Sequence, residues 1–413
     1  MRVKKMNSQV PQGYQQTEAG VIPDDWEVVK MADIASFFKG KGISKKDISD
    51  DGIECIRYGE LYTKYDEKIQ NIASKTNLPI DQLFLSKKND ILIPASGETA
   101  IDLATASCVL KDNVALGGDI NIIRSMQNGI YLSYYLNTVA RNRIAKLAQG
   151  VSVIHLYSSH LKTLSISLPS KPEQQKIADI LTIWDKVIEK QSALITQKQQ
   201  LKNGLMQQLF SQQVRFKADG SDFPDWKEEK LGEIGKISMC KRILKKETNE
   251  TKGVPFYKIG TFGKKTNAFI SKELYEQYVE KYSFPKKGDI LISAAGTIGR
   301  IVIYDGNPGY FQDSNIVWID NNEDVILNSF LAYCYTRVNW QTENTTIPRL
   351  YNNILREVKI PLPLKLEQAK IANLLTLADD EISKLEQELN ALKSQKKGLM
   401  QKLLTGQIRV TIN

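Results

Sequence analysis

The feature that most constrains this chain is a long segment that occurs twice. Residues 169–215 align without a gap to residues 363–409, at a constant offset of 194 positions. The first copy begins PSKPEQQKIADILT and ends LKNGLMQQLFSQQVR, and the second begins PLKLEQAKIANLLT and ends QKKGLMQKLLTGQIR. An ungapped match of this quality indicates a duplicated structural element, so we expect two related halves.

Shorter segments between the copies also correspond. PDDWEVVKMADI around Trp26 matches PDWKEEKLGEI around Trp226, and KKNDILIPASGETA matches KKGDILISAAGTIG. HLYSSHL, from His155, matches RLYNNIL, from Arg349. The predicted order is an N-terminal tail (1–19), a first domain (20–168), a first long helix (169–215), a second domain (216–362), and a second long helix with a C-terminal tail (363–413).

Both copies have the apolar spacing of a coiled coil, with intervals of three and four residues sustained over several heptads. Polar residues interrupt the first copy at Gln191, Lys198 and Lys202. Each helix alone would expose a long apolar stripe, so we expect the two to pair, antiparallel if a rough two-fold relates the halves. At 1.5 Å per residue each would span roughly 55–60 Å. The predicted seam is Ile177, Leu181, Trp184, Ile188, Ile195, Leu205, Leu209, Ile371, Leu375, Ala378, Ile382, Leu385, Leu389, Leu392, Leu399 and Leu403.

The segments between the helices have a mixed pattern. Short apolar runs bounded by Gly and Asp, such as DILIPA, DILISAA, RIVIYDG and SNIVWID, predict buried strands. Helical patterns cover 131–147 and 329–336. The predicted fold class is therefore α+β, with two domains separated by two long helices that form an antiparallel coiled coil and a pseudo-two-fold internal repeat.

Charge and cysteine content narrow the function classes. The chain has 56 Lys and Arg against 47 Asp and Glu, a net charge of +9, which is only a mild indication of nucleic-acid binding. The segment from Lys241 to Lys265 contains eight basic and two acidic residues. This pattern fits either phosphate contact or a solvated basic loop. Four scattered cysteines without CxxC, no bilayer-length apolar run and no signal-peptide core predict a cytoplasmic protein.

Fragments that resemble enzyme motifs are weak. NPGY (307–310) is similar to the NPPY loop of adenine methyltransferases, but Gly309 replaces a proline and DGNPG has the composition of a plain turn. Asp225, Glu228 and Lys230 crowd into one short segment and favour a solvated domain entrance over a nuclease centre. No GxxxxGK[ST] is present, and the two histidines have no counterparts in the second half, which argues against a P-loop or a shared metal site.

In combination, these segments resemble the specificity (S) subunit family of type I restriction-modification enzymes. The similarity rests on GDILISAAGTIGR, on TTIPRLYNNILREVKIPLP followed by EQAKIANLL, on VIHLYSSHLKTLSISLP followed by EQQKIADIL, and on the opening GYQQTEAGVIPDDWEV. The resemblance implies two target-recognition domains that each contact one half of a bipartite, asymmetric double-stranded DNA site. It also implies a non-catalytic chain without its own cofactor.

By the same resemblance, the partners are two modification subunits, which carry S-adenosylmethionine, and restriction subunits, which use ATP; no membrane partner is expected. The positions that match suggest candidate DNA contacts. For Ser96, Thr99 and Thr297 turn capping is an equal alternative, for Arg349 a surface salt bridge, and for His155 simple packing. The candidates are Lys45, Lys46, Arg57, Ser96, Thr99, Ser152, His155, Lys241, Arg242, Lys258, Thr297, Arg300, Thr345, Thr346 and Arg349.

Two hypotheses of other classes stay open at this point. One is a self-sufficient DNA methyltransferase or nuclease, which methyl transfer by the purified chain would support. The other is a coiled-coil protein adaptor without a DNA role, which the absence of salt-dependent DNA binding would support.

Overall fold

The computed structural model describes residues 10–151, 153–216, 224–340 and 349–412. Contacts divide the chain into two compact units. Unit 1 comprises the residues up to 194 together with those from 386 onward, and unit 2 comprises residues 195–385. Each unit therefore contains one domain and a part of both long helices, so the compact units do not follow the order of the sequence repeat.

Unit 1 contains many short strands and six short helices in its described part. The strands are β1 (Tyr14–Thr17), β2 (Gly20–Pro23), β3 (Glu27–Lys30), β4 (Ala35–Lys39), β5 (Ile48–Ser49), β6 (Ile53–Ile56), β7 (Lys68–Ile69), β8 (Ser74–Thr76), β9 (Ile91–Pro94), β10 (Ser96–Gly97), β11 (Ser107–Val109), β12 (Ala115–Leu116), β13 (Ile120–Ser125), β14 (Ile154–His155) and β15 (Ser165–Leu168). The helices are α1 (Met31–Ile34), α2 (Glu60–Thr63), α3 (Ala100–Leu103), α4 (Gly129–Thr138), α5 (Arg141–Leu147) and α6 (Ser158–Lys162).

The first long helix, α7 (Lys171–Phe210), leads into unit 2. The strands of unit 2 are β16 (Lys227–Lys230), β17 (Lys236–Ser238), β18 (Thr248–Asn249), β19 (Val254–Tyr257), β20 (Phe269–Ile270), β21 (Ile290–Ser293), β22 (Ile301–Ile303), β23 (Tyr310–Phe311), β24 (Ile316–Asp320) and β25 (Lys359–Leu362). The helices are α8 (Leu231–Ile234), α9 (Lys272–Lys281), α10 (Asn328–Arg337) and α11 (Asn352–Glu357), followed by the second long helix, α12 (Lys365–Leu404).

The two domains have corresponding sheets, except that β7 adds a fifth strand to the first sheet of unit 1. In unit 1 a sheet has the order β4-β13-β9-β11-β7 and a second has the order β12-β6-β8-β5. In unit 2 the corresponding orders are β17-β24-β21-β22 and β23-β19-β20-β18. The same pair is parallel in both cases, β12 with β6 and β23 with β19. The predicted α+β class and the internal repeat are confirmed.

The central strands are buried because their residues, apart from Ser293, are apolar on both faces. Every residue of β9 and of β21 is buried, as the runs DILIPA and DILISAA predict. Helix α4 packs against this sheet in unit 1 with Tyr131, Tyr134 and Tyr135 almost fully buried. The sheets thus form the rigid support from which the connecting loops extend.

The two long helices run antiparallel within each unit. Along α7 the partners on α12 have falling residue numbers, which defines the direction. The polar positions that interrupt the predicted seam take part in these pairs. They are, in unit 1, Asp185 with Lys396 and Gln191 with Glu388, and, in unit 2, Lys198 with Glu381 and Lys202 with Asp379.

Every residue of the predicted seam is buried or half-buried, whereas most residues between seam positions are exposed. In unit 1 the apolar core joins Ile177 and Leu181 of α7 to Leu403 of α12. In unit 2 it joins Leu209 of α7 to Ile371 and Leu375 of α12. The helices continue through Gly204 and Gly398, where an added Cβ would meet nothing within 4 Å.

A buried carboxylate at the start of each long helix explains several residues that recur in the repeat. Glu173 of α7 accepts hydrogen bonds from Trp26 Nε1 (3.3 Å) and from Arg409 Nε (2.9 Å). Glu367 of α12 accepts from Trp226 Nε1 (2.9 Å) and from Arg215 Nε (3.0 Å).

The glutamine that follows each of these carboxylates is also buried and bonded. The Gln174 side chain donates to the Pro169 carbonyl (3.0 Å), and the Gln368 side chain donates to the Pro363 carbonyl (2.8 Å). The recurring Pro, Glu, Gln and Arg therefore serve one structural purpose, which is to fix the entry of a domain into a long helix.

Candidate nucleic-acid interface

A basic turn follows β4 in unit 1 and β17 in unit 2, which are corresponding edge strands of the two domains. After β4, the Ser44 N–H donates to Asp47 Oδ2 (2.8 Å), and after β17 the Leu244 N–H donates to Glu247 Oε2 (2.6 Å). This cap closes a single 3-10 turn in both units because the acid is three residues beyond the first N–H. It projects two exposed lysines in each unit, which are Lys45 and Lys46 in unit 1 and Lys245 and Lys246 in unit 2.

A second turn follows β6 and its counterpart β19. The Arg57 N–H donates to Glu60 Oε2 (3.0 Å), and the Lys258 N–H donates to Thr261 Oγ1 (3.1 Å). The two basic residues therefore occupy the same place in a turn closed by a hydrogen bond to the side chain three residues further on, a carboxylate in unit 1 and a hydroxyl in unit 2. Arg57 is half-buried and Lys258 is exposed.

A third pair of loops follows the central strands. In unit 1 Ser96 of β10 pairs with His155 of β14, and in unit 2 Ala295 forms the equivalent bridge with Arg349. His155 and Arg349, which match in the sequence repeat, lie against the same loop of their own domain. The His155 ring stacks on Tyr157, which is exposed, with the ring centroids 6.2 Å apart.

In unit 1 the first two turns and the start of α3 line one cleft, which brings together Lys45, Arg57 and the Thr99 segment. The cleft carries both signs of charge. The cations are Lys45, Arg57 and Lys64, and the carboxylates are Glu60, Glu98 and Asp102. A surface with both donors and acceptors can pair with either kind of base edge.

The carboxylate of Glu60 is a fixed anion in this cleft. Burial alone would raise its pKa, but hydrogen bonds from Lys64 Nζ (2.8 Å), Ser74 Oγ (2.5 Å) and the Arg57 N–H hold the pKa below its ordinary value. Among the described residues, Arg57 Nε is buried without a hydrogen-bond partner, and Nη2 lies 3.7 Å from Glu60 Oε1. The guanidinium therefore keeps unused donor capacity beside a neutralising acid.

In unit 2 the equivalent loops also meet. Arg300 Nη1 donates to the Phe262 carbonyl (3.0 Å), which ties the loop after β21 to the turn that contains Lys258. The Ile259 N–H donates to the side chain of Gln312 (2.9 Å), and Arg242 pairs with the adjoining Asp313 (3.3 Å). Lys258, Arg242, Arg300 and the Thr297 loop thus form one neighbourhood.

The predicted contact residues differ in accessibility. Thr99 caps α3 by accepting from the Asp102 N–H (3.2 Å), and Ser96 is only 5% exposed. Ser152, Thr345 and Thr346 lie outside the described residues, so their roles stay predictions. The exposed candidates are Lys45, Lys46, Thr99, Lys241, Arg242, Lys258, Thr297 and Arg349, and the half-buried ones are Arg57, His155 and Arg300.

Several side chains of these surfaces were not among the candidates predicted from the sequence. Lys245 and Lys246 occupy the positions of Lys45 and Lys46, and matching SKKD to LKKE at an offset of 200 would have identified them. Glu98, Asp102 and Asp313 approach the basic residues only through the fold, and no sequence signal indicates them.

In the part of the chain that the structure describes, no cluster of three or more His, Cys, Asp and Glu residues could hold a metal ion. None of the helices found in those residues combines the length and apolarity that a bilayer crossing requires. The four cysteines are free and buried.

Comparison with known proteins identifies the family. Residues 23–200 and 224–394 each match the family model of the type I restriction modification DNA specificity domain. The chain belongs to this family.

The relatives and solved structures that this chain matches are type I specificity subunits or putative ones. The putative type I restriction enzyme MjaX specificity subunit of Methanocaldococcus jannaschii is 29% identical over 97% of both chains. A putative specificity subunit of Haemophilus influenzae is 58% identical, but over only 35% of this chain and 38% of its own length. The crystal structure of the S subunit from M. genitalium has the same fold, with a TM-score of 0.60 over 97% of both chains at 19% identity.

Proposed function

We propose that this chain is the non-catalytic DNA-recognition subunit of a type I restriction-modification complex. Each domain contacts one half of a bipartite double-stranded DNA site, and the paired helices hold the two domains at a set spacing. The chain itself needs no cofactor; S-adenosylmethionine and ATP belong to the modification and restriction subunits that it assembles.

The observation that carries this proposal is that one set of loops is built twice with different side chains. The turns with Arg57 and Lys258 are each closed by a hydrogen bond to the side chain three residues further on, and the loops beside His155 and Arg349 have the same bridge. Equal scaffolds with unequal side chains are what a protein needs to recognise two different half-sites.

The charges of the two loop sets favour an asymmetric target. In unit 1 the cleft adds Glu98 and Asp102 to its cations, and carboxylates accept from the cytosine amino group. In unit 2 the corresponding loop carries Thr297 and Arg300 and no carboxylate, and arginine pairs with guanine. The two domains therefore offer different hydrogen-bonding patterns to the major groove.

Exposed apolar positions on the helices support two copies of one protein partner. Ile183 of α7 and Leu377 of α12 occupy the same position of the repeat and are 60% and 58% exposed. One exposed apolar side chain is ordinary on a protein surface, but a large aliphatic side chain exposed at the same position of both copies is what two copies of one partner would require. We assign each position to one modification subunit.

The decisive experiment is to express the chain with its modification subunit in a host that lacks adenine methylation, and to map methylated adenines by single-molecule sequencing. We expect one asymmetric motif with two defined halves and a gap of constant length. Methylation by the purified chain alone would overturn the non-catalytic assignment, and scattered methylation without a motif would overturn DNA recognition.

The phosphate contacts can be tested separately by salt titration of the assembled complex. If Lys245 and Lys246 each neutralise a phosphate, changing both to Ala should reduce the slope of log K against log salt by about 2. Lys272→Ala is the control, because Lys272 is equally exposed but lies on α9 and pairs with Glu276. An unchanged slope in the double variant would remove these lysines from the interface.

The spacing role can be tested by inserting one heptad into both helices at positions that face each other in the antiparallel pair. Because the helices pair antiparallel within each unit, a paired insertion preserves the seam. We expect the gap between half-sites to lengthen, or the complex to fail to assemble. An intact complex with an unchanged gap would refute the spacing role.

A further inference from the structure

A cluster of three side chains joins the domain of unit 1 to both long helices. The Tyr134 hydroxyl of α4 donates to the Asp185 carboxylate of α7. Lys396 of α12 pairs with the same carboxylate, and its ammonium lies 5.3 Å from the centre of the Tyr134 ring. One carboxylate thus links three separate elements.

Unit 2 contains the same cluster with the helices in exchanged roles. The Tyr333 hydroxyl of α10 donates to Asp379 Oδ2 of α12 (2.8 Å). Lys202 of α7 pairs with Asp379 and lies 5.5 Å from the centre of the Tyr333 ring. Asp185 with Asp379, and Lys202 with Lys396, are matching positions of the sequence repeat.

The surroundings make the geometry of the cluster in unit 1 hard to change, whereas in unit 2 the Asp379 side chain is 43% exposed. The side chains of Lys396 and Asp185 are 14% and 22% exposed, and Lys68 of the domain adds a third contact to Asp185 at 3.2 Å. Burial raises the pKa of the neighbouring Glu67, which lies 3.9 Å from Lys396. A rotation of the domain on the helices would separate these groups and leave partly buried charges without partners.

We propose that Asp185 and Asp379, each with its Tyr and Lys partner, are positioning residues that fix the angle between each domain and the helix pair. This inference rests on the proposed function, because the angle sets where each domain meets the DNA. A weakened cluster would let the domain move on the helices, so half-sites at other gaps would become acceptable.

The first test measures the angle without DNA. Spin labels are placed on engineered cysteines at Lys75 in the domain of unit 1 and at Asn390 on α12, both of which are exposed, while the native cysteines are buried. In the complex with modification subunits we expect Tyr134→Phe to broaden the distribution of label distances. Tyr131→Phe is the control, because Tyr131 is equally buried on the same helix but does not contact Asp185.

A second pair of variants addresses the carboxylate directly. Asp185→Asn should broaden the distribution further, whereas Glu189→Gln, one turn along the same helix and exposed, should not. If the Tyr134 and Asp185 variants give distributions as narrow as the parent, the positioning role is wrong, whatever the complex does with DNA.

The second test measures the consequence for DNA. Target duplexes with gaps one base pair longer and shorter than the mapped gap are offered to the complex, and methylation is compared with the mapped target. We expect Tyr134→Phe to raise the relative methylation of these duplexes about fivefold, which corresponds to the loss of one hydrogen bond.

The two tests separate the two ideas. Broader distances with an unchanged preference for one gap would support the positioning of the domain and refute the spacing role of the proposed function. Unchanged distances with a changed gap preference would refute the positioning inference instead.

Discussion

The buried carboxylate at the start of α12 gives the sharpest stability prediction. Glu367 has no exposed surface and accepts hydrogen bonds from Trp226 Nε1 (2.9 Å), Arg215 Nε (3.0 Å) and Arg215 Nη2 (2.8 Å). Arg215→Met keeps most of the packing volume but leaves a buried anion with one of these three donors. Breaking a buried ion pair in this way costs about 3–5 kcal/mol.

The structure places the expected value at the lower end of that range. The Arg215 side chain is 20% exposed, so water can reach part of the vacated space and solvate the carboxylate. We therefore expect Arg215→Met to lower the free energy of unfolding of unit 2 by about 3 kcal/mol. In unit 1, Arg409 is 40% exposed, so Arg409→Met should cost less, about 2 kcal/mol.

These values are measured by urea unfolding of the full chain, monitored by circular dichroism. Calorimetry then separates the transitions of the two units. The control is the double variant Glu367→Gln with Arg215→Met, in which the amide still accepts from Trp226 and no charge is buried. It should cost about 2 kcal/mol less than Arg215→Met alone. If the double variant is as unstable as the single one, burial of an unpaired charge is not the cause.

Three further outcomes are expected. Gly204→Ala, inside α7 and in open space, should stabilise the chain by about 0.5–1 kcal/mol in thermal unfolding. Gly299→Ala should destabilise it, because Gly299 has a φ of +78° and an added Cβ would lie 2.1 Å from the Trp340 ring. Because the folded pKa of Glu60 is lowered, its stabilising contribution is present above its unfolded pKa of about 4.3 and is lost as the pH falls through its folded pKa. The difference in stability between the parent and Glu60→Gln should therefore close in acid. A difference that persists unchanged below about pH 3 would contradict this. Arg349→Ala should weaken binding to one half-site by about 1–3 kcal/mol if Arg349 pairs with a guanine, and a uniform loss on all sequences would assign it to a phosphate.

The long helices and the central strands could be predicted because their signals are local. The seam from Ile371 to Leu403 follows from spacing alone, and the strands β9 and β21 follow from apolar runs bounded by turns. A heptad pattern does not name its partner, however. That the end of α12 packs on the domain of unit 1 could be expected only by assuming a two-fold relation between the halves. Pairs such as Lys396 with Asp185 show this packing directly.

The candidate interface was less predictable because long-range contacts decide where its side chains lie. The sequence suggests Arg300 as a DNA contact, yet its guanidinium donates to the Phe262 carbonyl, 38 residues away. Thr99 is used as a helix cap, and the carboxylates of Glu98 and Asp102 reach the cleft only because α3 packs beside it. None of these contacts leaves a periodic trace in the sequence.

The two halves of the chain differ in a way that separates geometry from recognition. The residues that recur unchanged, such as Glu173 with Glu367 and Asp185 with Asp379, make the contacts between a domain and the helices. The positions that differ, such as His155 against Arg349, lie on the loops proposed to contact DNA. Because the two sets share no side chain, substitutions on one loop can change the base preference of one half-site while the junctions, and with them the gap, stay as they are. Recognition of the two half-sites should then vary independently, with free-energy changes that add.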